Sequence, residues 1–196
     1  MMSKKIAVVA PMGIDLSEEM FREIAGRIFV KNANKLRDKE TSIDFFIMKK
    51  GFVNIDSFSW ESLNVWNSYE LFEMARGLRG KGYDAMVIHC YADPCLYPLR
   101  QLMDIPVVGA VQNSLLFAGM MGRKIGIVTF SKYFAPIVED LVVKYGYKDS
   151  VVSIKSTESK MNDFLESFTN AGRLLDKFCE VSRECIADGA EVLVPG

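Results

Sequence analysis

The chain has 196 residues, enough for one large domain or two small ones with a sizeable core. Its 49% hydrophobic and 25% charged residues are those of a globular protein, and a net charge of −1 without a basic cluster argues against a partner read through its phosphates, so no nucleic acid is expected. No apolar run reaches the ~20 residues of a spanning helix; Arg123 and Lys124 interrupt the longest candidate, and no membrane partner is expected.

The N-terminus, Met1-Met2-Ser3-Lys4-Lys5, runs straight into an apolar strand over 6–10 and lacks the separate apolar segment and cleavage site of a signal peptide. The expected compartment is therefore the cytoplasm. Pro11-Met12-Gly13 turns the chain into a helix capped by Ser17, with Met20, Phe21, Ile24, Ile28 and Leu36 on its buried stripe. A second strand is predicted over 42–48, and the aromatic stretch 51–60 fits neither period and reads as a loop. A helix over 68–78 then passes through Gly80 and Gly82 into a third strand over 84–89. Asp93 is placed to cap the next helix, over 95–103, whose first turn accommodates Pro98.

Strand 107–111 follows, and Gln112-Asn113-Ser114 caps a helix over 115–121. The same alternation repeats as strand 125–129, helix 132–145 and strand 151–154. It ends with a short helix over 162–168, a long one over 170–188 with Leu174, Phe178, Val181 and Cys185 inward, and a final strand over 192–194. Strand and helix alternating throughout predict an α/β protein with doubly wound parallel sheets. A chain closing on an apolar strand, with nothing after it, is expected to lack its C-terminal part.

Chemistry concentrates at Cys90. It falls where the third strand stops, at the carboxyl end where open α/β sheets bind ligands. A thiol near the next helix's N-terminus is expected to have its pKa lowered toward neutrality, ready to take or give a proton. The plainer alternative is a small apolar filler. Thr129 and Ser131 occupy a similar strand end and offer hydroxyls either to an anionic ligand or to a helix cap.

Other chemistries lose ground. The four cysteines at 90, 95, 179 and 185 read as free thiols, and no metal site is expected, because Cys90 and Cys95 have no second close pair. His89 is the only histidine, and strand alternation points it away from Cys90. No glycine-rich phosphate loop follows any strand, and there is no serine-centred nucleophile elbow.

The run Val87-Ile88-His89-Cys90-Tyr91-Ala92-Asp93-Pro94-Cys95-Leu96, with Arg100 and then Asp104-Ile105-Pro106-Val107-Val108-Gly109, resembles the aspartate/glutamate/hydantoin racemase superfamily. Its hydantoin racemase branch reads approximately C-F-x-D-P-G-L, R-E-L, D-I-P-V-V-G. The likeness continues through 122–129 and returns at 189–196. The resemblance implies two α/β lobes, 1–110 and 111–196, related by a pseudo-twofold. It also implies no cofactor and a cysteine from each lobe, one removing an α-proton and the other returning it to the opposite face. Cys90 matches the first; the second would be the residue after Gly196, so this chain is expected to racemise poorly.

Two departures stand out: Cys95 occupies the family's glycine, and Ala10-Pro11-Met12-Gly13 replaces its N-P-N-T block. The implied activity is inversion at the α-carbon of an amino acid or hydantoin. The alternatives are a related decarboxylase or cis–trans isomerase of a small carboxylate, or an accessory binding protein keeping the cleft. Candidate substrate contacts are Met12, Gly13, Tyr91, Ala92, Asn113, Thr129 and Ser131, and a homo-oligomer is implied.

Overall fold

The computed structural model describes residues 3–11, 31–48, 61–159, 163, 166–167 and 170–196. Met12, Gly13, the helix start at Ser17, the aromatic loop over 51–60 and most of the short helix over 162–168 lie outside the described residues. The chain divides into two compact units, Met1–Ala110 and Val111–Gly196.

The first unit runs β1 (Lys4–Ala10), α1 (Lys31–Leu36), β2 (Thr41–Ile47), α2 (Glu61–Arg76), β3 (Ala85–Ile88), α3 (Leu96–Leu102) and β4 (Val107–Gly109). Its four strands are all parallel, in the order β2-β1-β3-β4. Parallel neighbours need crossovers of a dozen residues or more, which is why helical segments separate these short apolar runs. Val9 of β1 registers with Phe46 on one side and Ile88 on the other. Ala7, Val9, Leu71, Met86, Ile88 and Leu99 are fully buried and form the core between sheet and helices. Each large aliphatic chain so buried contributes about 1.5–3 kcal/mol.

The strand order has a consequence for ligands. The chain leaves β1 for β2 on one side and returns to β3 on the other, so the direction of winding reverses between β1 and β3. In open α/β sheets the crevice outside the carboxyl ends of such a pair is where ligands bind. Cys90 lies just beyond the end of β3.

In the second unit, α4 (Ala110–Met121) follows β4 directly, then β5 (Ile125–Thr129), α5 (Ala135–Lys144), β6 (Val151–Ser156), α6 (Gly172–Ala187) and β7 (Val192–Pro195). The strands are parallel in the order β6-β5-β7, so here too the first strand is central and the winding reverses beside it. Every residue of β5 is buried, as its unbroken apolar run requires. Helix α6 packs on β5 and β6, and Val128, Cys185 and Ala190 form a cluster joined by Phe178, Val181 and Leu193. Gly126 permits this approach, because a Cβ there would lie 2.8 Å from Ala190 Cβ and 2.9 Å from Cys185 Cβ.

Several boundaries differ from expectation. Helix α2 starts at Glu61 rather than 68, and α4 starts at Ala110 rather than 115. Asn113 and Ser114 are therefore inside the first turns of α4, not before it, and the Ser114 hydroxyl donates to Val111 O at 3.0 Å. Helix α5 starts at Ala135 rather than 132, because residues 131–134 form a turn closed by Phe134 N–H on Ser131 O at 2.9 Å.

Candidate active site

The ladder between β1 and β3 runs one residue past the strand, with His89 N–H donating to Val9 O at 2.8 Å. Two turns in succession then carry the chain to α3. Cys90 O accepts Asp93 N–H at 3.2 Å, and Asp93 O accepts Leu96 N–H at 3.3 Å. Asp93 (φ 45°) and Cys95 (φ 47°) are both left-handed. The second turn, Asp93-Pro94-Cys95-Leu96, has proline second and a left-handed residue third, the position that favours glycine. This accounts for the glycine at the position of Cys95 in the hydantoin racemase pattern.

Cys90, Tyr91, Ala92 and Cys95 are half-buried, and all four cysteines carry free thiols. Burial pushes the Cys90 thiol up to about 12; the Ala92 N–H donated to it works the other way, and the charge of Asp93 adds to the rise. Burial, then the charge of Cys90, pushes Cys95 up to about 12 as well. The expected drop toward neutrality is therefore overturned. Helix α3 begins only at Leu96 and is one to two turns long, too far and too short to outweigh desolvation. Burial also holds His89 below its usual range, and its ring meets Phe45 edge-on at 5.7 Å.

Asp93 is not the cap of α3. That position belongs to Cys95, with no side-chain cap bond. Asp93 is instead 5% exposed, and its carboxylate fills the space beside Gly109, where a Cβ would lie 2.6 Å from Cγ and from Oδ2. Neither role was legible in a linear pattern, because Asp93 and Gly109 meet only when β3 and β4 pair.

In the second unit, Thr129 is fully buried at the end of β5, its hydroxyl within 3.3 Å of Ser131 O and 3.4 Å of Lys155 O. Ser131 Oγ accepts Tyr133 N–H at 3.3 Å. Neither hydroxyl caps α5, whose cap position is Phe134 with no side-chain bond. Thr157 and Ser159, which the sequence pattern did not single out, are buried beside this strand end. Their hydroxyls lie 2.8 Å apart, and Thr157 Oγ1 donates to Phe130 O at 2.9 Å. Asn113 is half-buried within α4. Among the described residues no group of three or more His, Cys, Asp or Glu is arranged to hold a metal ion, and no helix is long and apolar enough to cross a membrane.

Parallel sheets flanked by helices, with a thiol past a strand's carboxyl end at a winding reversal, define a doubly wound α/β protein with a candidate ligand site at the end of β3. The Asp/Glu/Hydantoin racemase family model matches residues 55–196, and the chain belongs to that family. It is 34% identical over 125 residues to a hydantoin racemase of Pseudomonas sp. (strain NS671), covering 64% of this chain and 49% of that protein. A hydantoin racemase of Rhizobium meliloti is 32% identical over 126 residues, with 64% and 51% covered. The chain thus spans about half the length of the curated relatives it matches. The structure of an allantoin racemase from Klebsiella pneumoniae superposes with a TM-score of 0.82 at 22% identity, over 99% of this chain and 74% of that one.

Proposed function

We propose that the protein is a cofactor-independent racemase or epimerase that inverts the α-carbon of an amino acid or hydantoin, with Cys90 as one of two acid–base thiols. The observation that carries this reading is the Cys90 thiol, held on a turn just past β3, where the winding of the sheet reverses. Family membership and the named activities of the relatives support the reaction class.

The chemistry runs as follows. With its pKa raised to about 12, Cys90 is a protonated thiol at neutral pH and enters as the acid. An opposed thiolate takes the α-proton; the C–H electron pair moves onto the adjacent carbonyl oxygen; and Cys90 gives its proton to the other face, keeping its S–H pair as a thiolate. The Ala92 N–H, already donated to that sulfur, stabilises the charge that forms there. One thiol alone returns the proton to the face it came from. The opposed thiol is taken from the family resemblance, which implies a second cysteine following the strand Val192–Pro195. Tyr91, Ala92, Met12, Gly13, Asn113, Thr129 and Ser131 are proposed to surround the substrate. The compartment is proposed to be the cytoplasm and the assembly a homo-oligomer.

The test is proton exchange in heavy water with the full-length protein, offered 5-substituted hydantoins, allantoin and acidic amino acids. Deuterium is expected at the α-carbon together with loss of optical activity, and Cys90→Ala is expected to abolish the loss of optical activity. Carbon dioxide release without label at the retained stereocentre would replace racemisation with decarboxylation.

A further inference from the structure

At the carboxyl end of β5, consecutive carbonyls are held by donors from the chain that leaves β6. Thr129 O accepts Thr157 N–H at 3.0 Å, and Phe130 O accepts Ser159 N–H at 3.1 Å. Thr129 pairs with Ser156, so the first bond continues the β5–β6 ladder and the second departs from it. Along a regular strand successive carbonyls face opposite neighbours, yet those of 129 and 130 turn to the same one. The side chains add a further hold. Thr157 Oγ1 donates to Phe130 O at 2.9 Å and, its single hydrogen being used there, accepts from Ser159 Oγ at 2.8 Å. Both residues are buried, at 7% and 6% exposure, where a hydroxyl without a partner is costly. Glu158, between them, is exposed and left-handed (φ 50°), with its N–H donated to Ser156 Oγ at 2.9 Å.

Phe130 O thus takes two donors from two residues, and this fixes the plane of the Phe130–Ser131 peptide where one bond would leave it free to rock. A trans peptide points its N–H opposite to its C=O, so the Ser131 N–H is turned away from residues 157–159. Ser131 Oγ accepts from Tyr133 N–H, a bond that does not use the hydroxyl's own hydrogen. We propose that Thr157 and Ser159 are positioning residues for the turn at 129–131: their hydroxyl pair, acting through Phe130 O, sets the direction in which Ser131 presents its N–H and hydroxyl to an oxygen of the substrate. The proposal rests on the reading of Ser131 as a substrate contact. Thr157 N–H and Ser159 N–H close the end of the sheet whatever side chains these residues carry, so what the buried hydroxyls add is orientation. A displacement of about 1 Å at a group that meets substrate is enough to cost a large factor in rate.

The experiment compares Thr157→Val, Thr157→Ser and Ser159→Ala in the full-length protein. Valine keeps the branched shape and the backbone N–H and removes the hydroxyl, whereas serine keeps the hydroxyl. Without ligand, nuclear magnetic resonance of the isotope-labelled protein reads the Phe130 carbonyl carbon and the Ser131 amide nitrogen. Both are expected to move in Thr157→Val and to return close to wild type in Thr157→Ser. With a 5-substituted hydantoin or allantoin as substrate, KM is expected to rise about tenfold in Thr157→Val and to return to within about twofold of wild type in Thr157→Ser. Ser159→Ala is expected to move the same quantities in the same direction by less. A loss of folded protein alone would lower kcat and leave KM in place. A folded Thr157→Val protein whose Ser131 amide keeps its wild-type resonance overturns the proposal, and so does one whose KM is unchanged. If that variant fails to fold, Ser159→Ala is judged by the same two readings. A wild-type protein that racemises neither substrate counts against the proposed activity, and the Ser131 resonance then decides for or against the pair.

Discussion

At the scale of single residues, the turn after β3 holds two conformations that side chains seldom adopt, at Asp93 and Cys95. They are not equivalent. Asp93 is suited to the left-handed region and is tied to Gly109, whereas Cys95 has no such suitability and stands third in a proline-containing turn. Cys95→Gly is therefore expected to stabilise the protein. A left-handed side chain costs about 1–2 kcal/mol, and the added freedom of glycine in the unfolded chain gives back part of it, leaving a gain of about 1 kcal/mol. A urea titration reads this as a higher midpoint at unchanged slope, and a lower midpoint would show that Cys95 contributes packing that outweighs its strain. Cys90 was legible from sequence because a strand end is marked by where an apolar run stops. Its ionisation was not, because desolvation depends on neighbours that only the fold brings together, and here desolvation outweighs the short helix behind it. Asp93 was mistaken for a cap for the same reason: its partner lies sixteen residues away, on the neighbouring strand.

At the scale of elements, the strands were legible and the helix starts were not. Short apolar runs bounded by turns leave little choice for β1, β3 and β5: the predicted and observed ends of β3 and β5 differ by a residue or less, and β1 starts two residues earlier than predicted, at Lys4. Helix starts were placed by polar caps that the chain does not use: α4 begins at Ala110 with Asn113 already inside it, and α5 begins after Phe134 instead of at the Ser131 turn. Tertiary packing, not capping, sets these ends. The packing of α6 on β5 gives the prediction proper to this scale. Gly126 lies at the contact, and an added methyl would meet two Cβ atoms under 3.0 Å and Leu193 Cδ2 at 3.1 Å. Two of these belong to Cβ positions fixed by backbone, so relief requires the helix to move off the strand. Gly126→Ala is expected to cost about 1–3 kcal/mol. Thermal unfolding measures it, and an unchanged midpoint would mean that α6 shifts freely on the sheet.

For the whole molecule, the proposed homo-oligomer needs a surface, and the one proposed for it is α4. Leu116, Phe117, Met120 and Met121 lie along one side of the helix at 52%, 62%, 75% and 77% exposure, and none of the twelve residues of α4 is charged. Together they present on the order of 500 Å² of apolar surface, at the upper end of what monomers leave in water. A stable dimer buries about 800 Å² per partner, so this stripe would form the apolar centre of an interface completed by polar neighbours. The occupant that fits is a second copy of the chain: an uncharged face brings no like charges together when it packs against itself across a twofold. Phe117→Glu with Met120→Glu would place four carboxylates in that centre, two from each copy, with no counter-charge from α4. The expected outcome by light scattering coupled to size exclusion is an oligomer for wild type and a monomer for the double variant, with thermal stability otherwise retained. A wild-type monomer at high micromolar concentration would remove α4 as an interface, and an oligomer that survives both glutamates would place the contact elsewhere on the molecule.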